Sequence, residues 1–128
     1  MKVKIEIAPG ELFDKLSILE IKTERIRDRD RRRHVQAEYE CLLAGRDLHL
    51  PASWKLDALF AELKSVNEEL WDIEDRLRVH ERDGDFGEEF VRLVRSVYLT
   101  KDRRAEIKQD FNRMLNGDIA EAKSCETY

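Results

Sequence analysis

Apolar residues along the chain recur at alternating intervals of three and four residues, which is the period of one face of an α-helix. The clearest run predicts a helix over about 54–82, ended by the turn Asp83-Gly84-Asp85. A second run predicts a helical region over about 86–116, as one helix or as two with a kink near Thr100. The apolar positions of the two runs are Leu56, Leu59, Leu63, Val66, Leu70, Ile73 and Leu77, and Phe86, Phe90, Leu93, Val97, Ile107, Phe111 and Met114. Two such segments joined by a short turn predict an antiparallel helical hairpin.

An earlier helix is predicted over about 10–28, beginning after Pro9. This helix has two largely apolar sides. The first is a stripe of residues along one face, here called a seam: Leu12, Leu16, Leu19, Thr23 and Ile26. The second side carries Ile18 and Ile21, in line with Asp14 and Arg25. A helix that is apolar on two sides is usually an interior or interface helix. The second side is therefore a candidate for contact with a shorter helix or a second subunit, through Asp14, Ile18, Ile21 and Arg25.

The shorter helix is predicted over about 32–44 and is expected to end at Gly45, since glycine is the common residue at helix C-termini. Ser53 is a suitable N-cap for the helix that follows. At the start of the chain, Val3, Ile5 and Ile7 alternate with polar residues, which predicts a short β-strand within residues 1–8. Because no second strand is evident, this segment is predicted either to pair with its copy in another subunit or to be an extended arm.

These elements predict an all-α fold with a short N-terminal β-strand, in which an antiparallel helical bundle is built on the long heptad-patterned hairpin. Residues 1–128 are expected to form a single domain, with a loosely held tail over about 117–128 after Asn116-Gly117. The two apolar sides of the first helix favour a homodimer.

Composition narrows the classes of protein that fit. Charged residues make up 41% of the 128 residues and the formal net charge is −4, so a general nucleic-acid binder with a basic field is not expected. No apolar run approaches the length of a membrane span, and the first residues lack the apolar region of a signal peptide. Cys41 and Cys125 have no zinc-type spacing, which fits free thiols in a reducing compartment. The predicted location is cytoplasmic.

Candidate chemistry lies in the polar residues that interrupt the apolar pattern. Arg104 stands within the seam of the last helical region, with Thr100 one turn before it, and Asn67 and Glu74 border the seam of the preceding helix. An arginine inside a bundle can hold a carboxylate or phosphate through two parallel hydrogen bonds. The predicted anion pocket comprises Arg104, Thr100, Asn67, Glu74, Arg78 and Trp71.

The alternative for Arg104 is a structural role in which it pairs with Glu62 or Glu69 and sets the helix register. Likewise, the arginine-rich stretch Arg25–His34 is read as a solvated helix end and turn, or as a basic patch for an anionic partner. The three histidines are scattered and no glycine-rich phosphate loop is present. Neither a metal site nor a cofactor is therefore predicted.

Three blocks spanning nearly the whole chain resemble a bacterial domain-of-unknown-function family of short helical proteins. They read PGELFDKLSILEIKTERI over 9–26, LWDIED over 70–75, and RSVY followed by DRRAEIK over 95–98 and 102–108. Where the family has Asn-Asp, this chain has Lys101-Asp102, so no role for an amide is carried over. The resemblance implies no reaction and no catalytic residues. Its motif positions are Asp14, Lys15, Glu20, Lys22, Arg25, Trp71, Glu74, Asp75, Arg95, Tyr98, Asp102, Arg104 and Lys108.

Two weaker resemblances concern enzymes. Glu69-x-x-Asp72 resembles the magnesium-binding carboxylates of all-α nucleotide pyrophosphohydrolases. Glu68, Asp72 and Asp75 of this acidic run are, however, expected on the solvated face of the helix. The first helix, ending in Glu24-Arg25, resembles the first helix of helical chorismate mutases. Such an activity would need several cations around one pocket, and Arg104 and Lys108 are the candidates to supply them.

Three functions are consistent with the sequence. A homodimeric interaction or structural protein is favoured; the alternatives are an anion-binding module and a small-metabolite enzyme with Glu74 as its acid or base.

Overall fold

The computed structural model describes residues 1–126 and the side chains of residues 1–115. The described chain contains four α-helices: α1 Pro9–Arg25, α2 Arg29–His49, α3 Trp54–Asp83 and α4 Glu88–Glu126. The predicted all-α fold is confirmed. Within residues 1–126, none of these helices combines the length and the apolar character that a membrane crossing requires.

The first two helices are separated by a short connection that has its own capping group. Pro9 stands in the first turn of α1, where its missing N–H costs no hydrogen bond. The side chain of Asp28 caps α2 by accepting hydrogen bonds from the backbone N–H groups of Asp30 and Arg31. The chain therefore turns before Asp28, and the arginines of this region lie exposed on the first turns of α2.

The prediction that the second helix ends at Gly45 was wrong. Glycine weakens a helix interior by only about 1 kcal/mol, and α2 continues through it to His49. The end of α2 is set instead by Pro51, which disfavours helical backbone in the residue before it. Leu50 is accordingly extended and its backbone N–H donates to the carbonyl of Arg46.

The long hairpin forms as predicted. Ser53 caps α3 by accepting a hydrogen bond from the backbone N–H of Lys55. Gly84 ends α3 in the left-handed conformation, with φ of 67°, which favours glycine. Two ion pairs, Arg76 to Glu89 near the turn and Arg103 to Glu69 further away, show that α3 and α4 run antiparallel.

The final helical region is one helix, without a break near Thr100. Its backbone continues past Asn116-Gly117, where the sequence predicted its end, to Glu126. The predicted loosely held tail over 117–128 falls on residues whose side chains, or whose whole placement, lie outside the described part of the chain. That description of the tail stays a prediction.

Helix α1 is the centre of the bundle. It packs against α2, α3 and α4, whereas the backbone of α2 comes close to that of α1 alone among the described helices. The core joins α1, α3 and α4, and its aromatic centre is a stacked pair, Phe13 and Phe111, with ring centroids 4.3 Å apart. Further buried side chains in this cluster are Leu16, Leu56, Leu63, Val66 and Ile107.

The second apolar side of α1 is covered within the same chain. Asp14 and Ile21 are 6% and 1% exposed, and Ile18 is half-buried beside residues of α3 and α4. Arg25 extends from the end of α1 to α3, where its guanidinium bonds Asp72 at 2.5 Å. This side therefore has its partners without a second subunit.

The predicted N-terminal β-strand is not present. Residues 1–8 form no strand, and Val3 and Ile5 are about three-quarters exposed. A strand needs a neighbour to receive its backbone hydrogen bonds, and the described part of this chain supplies none. The segment is an exposed arm that leads into Pro9.

Candidate functional site

A buried polar network joins α1 to α3 near the middle of the bundle. The Asn67 amide nitrogen donates both of its hydrogens to α1, one to Asp14 Oδ1 at 2.9 Å and one to Ser17 Oγ at 2.7 Å. The Ser17 hydroxyl in turn donates to the backbone carbonyl of Asp14 at 2.8 Å. All three residues are at most 6% exposed. Because every donor has an acceptor, the network holds α1 and α3 in one register.

One cation from α4, Lys108, contacts two acids near the N-terminal end of α1. Lys108 Nζ donates to Glu11 Oε1 at 2.5 Å and lies 4.0 Å from the carboxylate of Asp14. The hydrogen bond from Lys108 lowers the pKa of Glu11, against the raising effect of its burial. A carboxyl whose pKa is lowered by folding stabilises the protein above its unfolded pKa, and this contribution is lost as the pH falls through the folded value. Lys108 is therefore engaged in holding α1 to α4.

A groove of about 280 Å³ opens beside the network, between α1, α3 and α4. Its apolar walls are Ile18, Ile21, Leu70 and Trp71, and Asn67 is the buried polar residue among its lining side chains. Four charged side chains complete the lining: Lys22 from α1, Glu74 from α3, and Lys101 and Arg104 from α4. A concave surface with apolar walls and a few converging polar groups is the usual form of a small-ligand site.

The charge of the groove is unbalanced. Three cations face a single carboxylate, and none of the four charged side chains lies within 4.0 Å of an opposite charge anywhere among residues 1–115. Arg104 is half-buried, and no carboxylate among residues 1–115 lies within 4.0 Å of its guanidinium. The lining therefore favours a ligand that carries negative charge.

Two acids of the acidic run on α3, Glu69 and Asp72, form ion pairs with arginines of other helices. Glu69 pairs with Arg103 at 3.0 Å, and Asp72 pairs with Arg25, whose guanidinium also lies over the ring of Trp71 at 5.8 Å. Among the described residues, no group of three His, Cys, Asp or Glu side chains is arranged to hold a metal ion. The resemblance of Glu69-x-x-Asp72 to a magnesium site therefore gains no support from the geometry. The pair between Arg25 and Asp72 also fixes one side of the Trp71 wall.

A family model described as "Family of unknown function (DUF6165)" matches residues 1–128. The chain belongs to this family. Comparison with curated proteins and with solved structures gives no match. The family resemblance stated from the sequence blocks is thereby confirmed, and membership in DUF6165 brings no activity, ligand or partner with it. Function in this DUF6165 protein must be argued from its own side chains.

Four of the six residues predicted for an anion pocket line the groove of this DUF6165 chain: Arg104, Asn67, Glu74 and Trp71. The other two do not. Thr100 is buried, 3% exposed, but is not part of the lining, and Arg78 is exposed and outside it. Of the four predicted interface residues, Ile18 lines the same groove, as does Ile21.

Sequence reasoning missed two cations of the groove. Lys22 lies four residues after Ile18 and Lys101 lies three residues before Arg104, which places each on the helix face of a residue already singled out. Helical spacing is therefore the signal that identifies them. The resemblance to chorismate mutases suggested Lys108 as the second cation, but Lys108 is bonded to Glu11 and is not among the lining residues.

Proposed function

We propose that this chain is a binding module for a small anionic ligand, held in the groove between α1, α3 and α4. The single observation that carries the proposal is the half-buried Arg104, which has no acidic partner within 4.0 Å among residues 1–115. A charged group inside a helical bundle is usually paired, because an uncompensated charge there costs free energy. An anion in the groove would supply the missing partner.

The identity of neighbouring ion pairs supports this assignment. Arg103, the residue adjacent to Arg104, forms an ion pair with Glu69. Lys108, one turn further along α4, forms an ion pair with Glu11. Glu69 and Glu11 are therefore paired with other cations, and Glu74, which lines the same groove, lies more than 4.0 Å from Arg104. Lys22 and Lys101 add positive charge around the same opening, so an anion there would contact more than one cation.

The proposal predicts that an anion raises the melting temperature of the parent chain. Inorganic phosphate, succinate, citrate and 3-phenylpropionate are suitable probes, since they vary charge and apolar area. A ligand at ten times its dissociation constant stabilises the folded state by about 1.4 kcal/mol, or about 4 °C in a domain of this size. The measurement is a thermal melt at fixed ionic strength, because screening alone changes surface electrostatics.

Arg104→Met is expected to abolish the response to any anion that stabilises the parent. Arg95→Met is the matched control, since Arg95 lies exposed on α4 outside the groove and has no acidic partner among residues 1–115. It should retain the full response. Equal responses of the two variants, or no response of the parent to all four probes, would overturn the proposal.

A second candidate, an interaction protein that forms a homodimer through α4, is favoured by an exposed apolar surface. Val91 and Leu99 are 51% and 67% exposed and border a surface that also carries Glu88 and Arg95. If α4 paired with its own copy in antiparallel orientation, Glu88 of each chain would approach Arg95 of the other. Sedimentation equilibrium tests this candidate: Leu99→Glu should convert a dimer to a monomer, and a monomeric parent would contradict it.

A further inference from the structure

The orientation of the Asn67 side chain is fixed from within the bundle. Its amide nitrogen faces the Asp14 carboxylate at 2.9 Å, and the opposite orientation would set a carbonyl oxygen against that carboxylate. Both amide hydrogens are used on Asp14 and Ser17, so they are not available to a ligand. Only the carbonyl oxygen, Oδ1, remains to make a contact.

Asn67 Oδ1 is available at the groove. No residue among 1–115 donates a hydrogen bond to it, yet within that part of the chain no fully buried side-chain oxygen or nitrogen lacks a partner. Oδ1 is therefore not sealed in the core, and Asn67 is one of the residues that line the groove. It presents a hydrogen-bond acceptor in a surface that otherwise carries three cations.

The groove thus has two kinds of polar group with opposite requirements. Arg104, Lys22 and Lys101 need an anion, whereas Asn67 Oδ1 and the carboxylate of Glu74 need a hydrogen-bond donor. Glu74 has no cationic partner within 4.0 Å among the described side chains. Between these groups lie apolar side chains, including Leu70 and Trp71, which suit an apolar body.

We propose that the ligand is amphoteric: a small amino acid-like molecule with an anionic group, a protonated amine and an apolar side chain. The anion would meet Arg104 and the lysines, the amine would donate to Glu74 and Asn67 Oδ1, and the apolar body would lie on Trp71. This proposal rests on the proposed anion-binding function and narrows its ligand class. A groove of about 280 Å³ suits a molecule of this size.

The amine is tested with three matched pairs of probes. L-leucine, L-methionine and L-phenylalanine are each compared by isothermal titration calorimetry with the carboxylic acid that lacks only the amino group: 4-methylpentanoate, 4-(methylthio)butanoate and 3-phenylpropionate. A charge-assisted hydrogen bond to the amine predicts that at least one amino acid binds about tenfold tighter than its deamino partner. The opposite order, or equal affinity in all three pairs, would overturn the amphoteric class.

The variant Glu74→Gln tests whether the preference for an amino acid over its deamino partner arises in the groove. Glu74 is exposed, so its replacement should not affect folding, and Glu62→Gln is a matched control on α3 outside the lining. Glu74→Gln should weaken the binding of the preferred amino acid about tenfold and leave the affinity for its deamino partner unchanged. Glu62→Gln should change neither affinity. An equal loss for both members of the pair would contradict a specific contact with the amine.

The two proposals fail separately. If the deamino acids bind as tightly as the amino acids, the amphoteric ligand class is wrong and anion binding at Arg104 stands. If none of the six probes binds the parent, the amphoteric class is wrong, and the anion-binding function is overturned as well only when phosphate, succinate and citrate also fail to raise the melting temperature.

Discussion

Asn67→Leu is expected to destabilise the protein by about 3 kcal/mol, which lowers the melting temperature by about 10 °C. Asn67 supplies two hydrogen bonds to α1, one of them to the buried carboxylate of Asp14. Leucine has a similar size but donates nothing, so Asp14 would stay buried with only Lys108, 4.0 Å away, near its other oxygen. Circular dichroism melts of the two proteins measure the difference.

The double variant Asp14→Leu with Asn67→Leu separates two costs of the single variant: the Asp14 carboxylate left without its hydrogen-bond donor, and the loss of packing. When both partners of a buried polar pair are replaced by apolar residues, much of the cost is recovered. The double variant should therefore melt several degrees above Asn67→Leu alone. If Asn67→Leu melts within about 1 °C of the parent, the hydrogen-bonded network does not hold α1 to α3 as described.

Gly10→Ala is the second substitution with a large expected effect, about 3 kcal/mol of destabilisation. A Cβ atom at this position would lie closer to the Lys108 carbonyl oxygen than the sum of the two van der Waals radii allows, and 2.9 Å from the Lys108 carbonyl carbon. Backbone atoms cannot move aside as a flexible side chain can, so α1 and α4 would have to separate. The separation would also strain the hydrogen bond from Gly10 N–H to Asn112 Oδ1, 2.8 Å long.

Gly45→Ala is the matched control for this substitution. Gly45 also lies within a helix, but nothing stands within 4 Å of a Cβ atom built there. Alanine is the better helix former, so this variant should be more stable than the parent by about 0.5–1 kcal/mol. Opposite signs for the two alanine variants in urea unfolding support the close approach of α1 to α4. A stabilised Gly10→Ala would show that the two helices are further apart at this point.

Helical spacing was sufficient to predict the hairpin but not the ends of every helix. The seam residues Leu63 and Val66 of α3, and Ile107 and Phe111 of α4, are all at most 5% exposed. Gly45 did not end α2, because one glycine weakens a helix interior only slightly while Pro51 sets a firmer limit. The N-terminal strand failed for a different reason, since alternation of side chains does not provide a partner for the backbone.

The candidate site was predicted in part because helix geometry relates residues on one helix more reliably than residues on different helices. Arg104 was found as a polar residue within one apolar seam and Asn67 as a polar residue beside another, and both line the groove. Thr100 follows the same rule but points into the core instead, where it is 3% exposed. The pairing of acids with cations depends on the distances between helices. The sequence alone therefore did not predict the ion pair between Arg103 and Glu69.

The uncompensated charge of Arg104 is tested most directly by the melting temperature of Arg104→Met in the absence of any ligand. Arg104 lies three residues after Lys101 and four before Lys108, and like charges at this spacing destabilise a helix by about 0.2–0.5 kcal/mol per pair. Arg104→Met should therefore melt about 2 °C above the parent. The control Arg103→Met, which removes only an exposed pair with Glu69, should melt at or slightly below the parent. A fall of several degrees for Arg104→Met would mean that Arg104 already has a stabilising partner in the folded chain, and would contradict an anion site built around it.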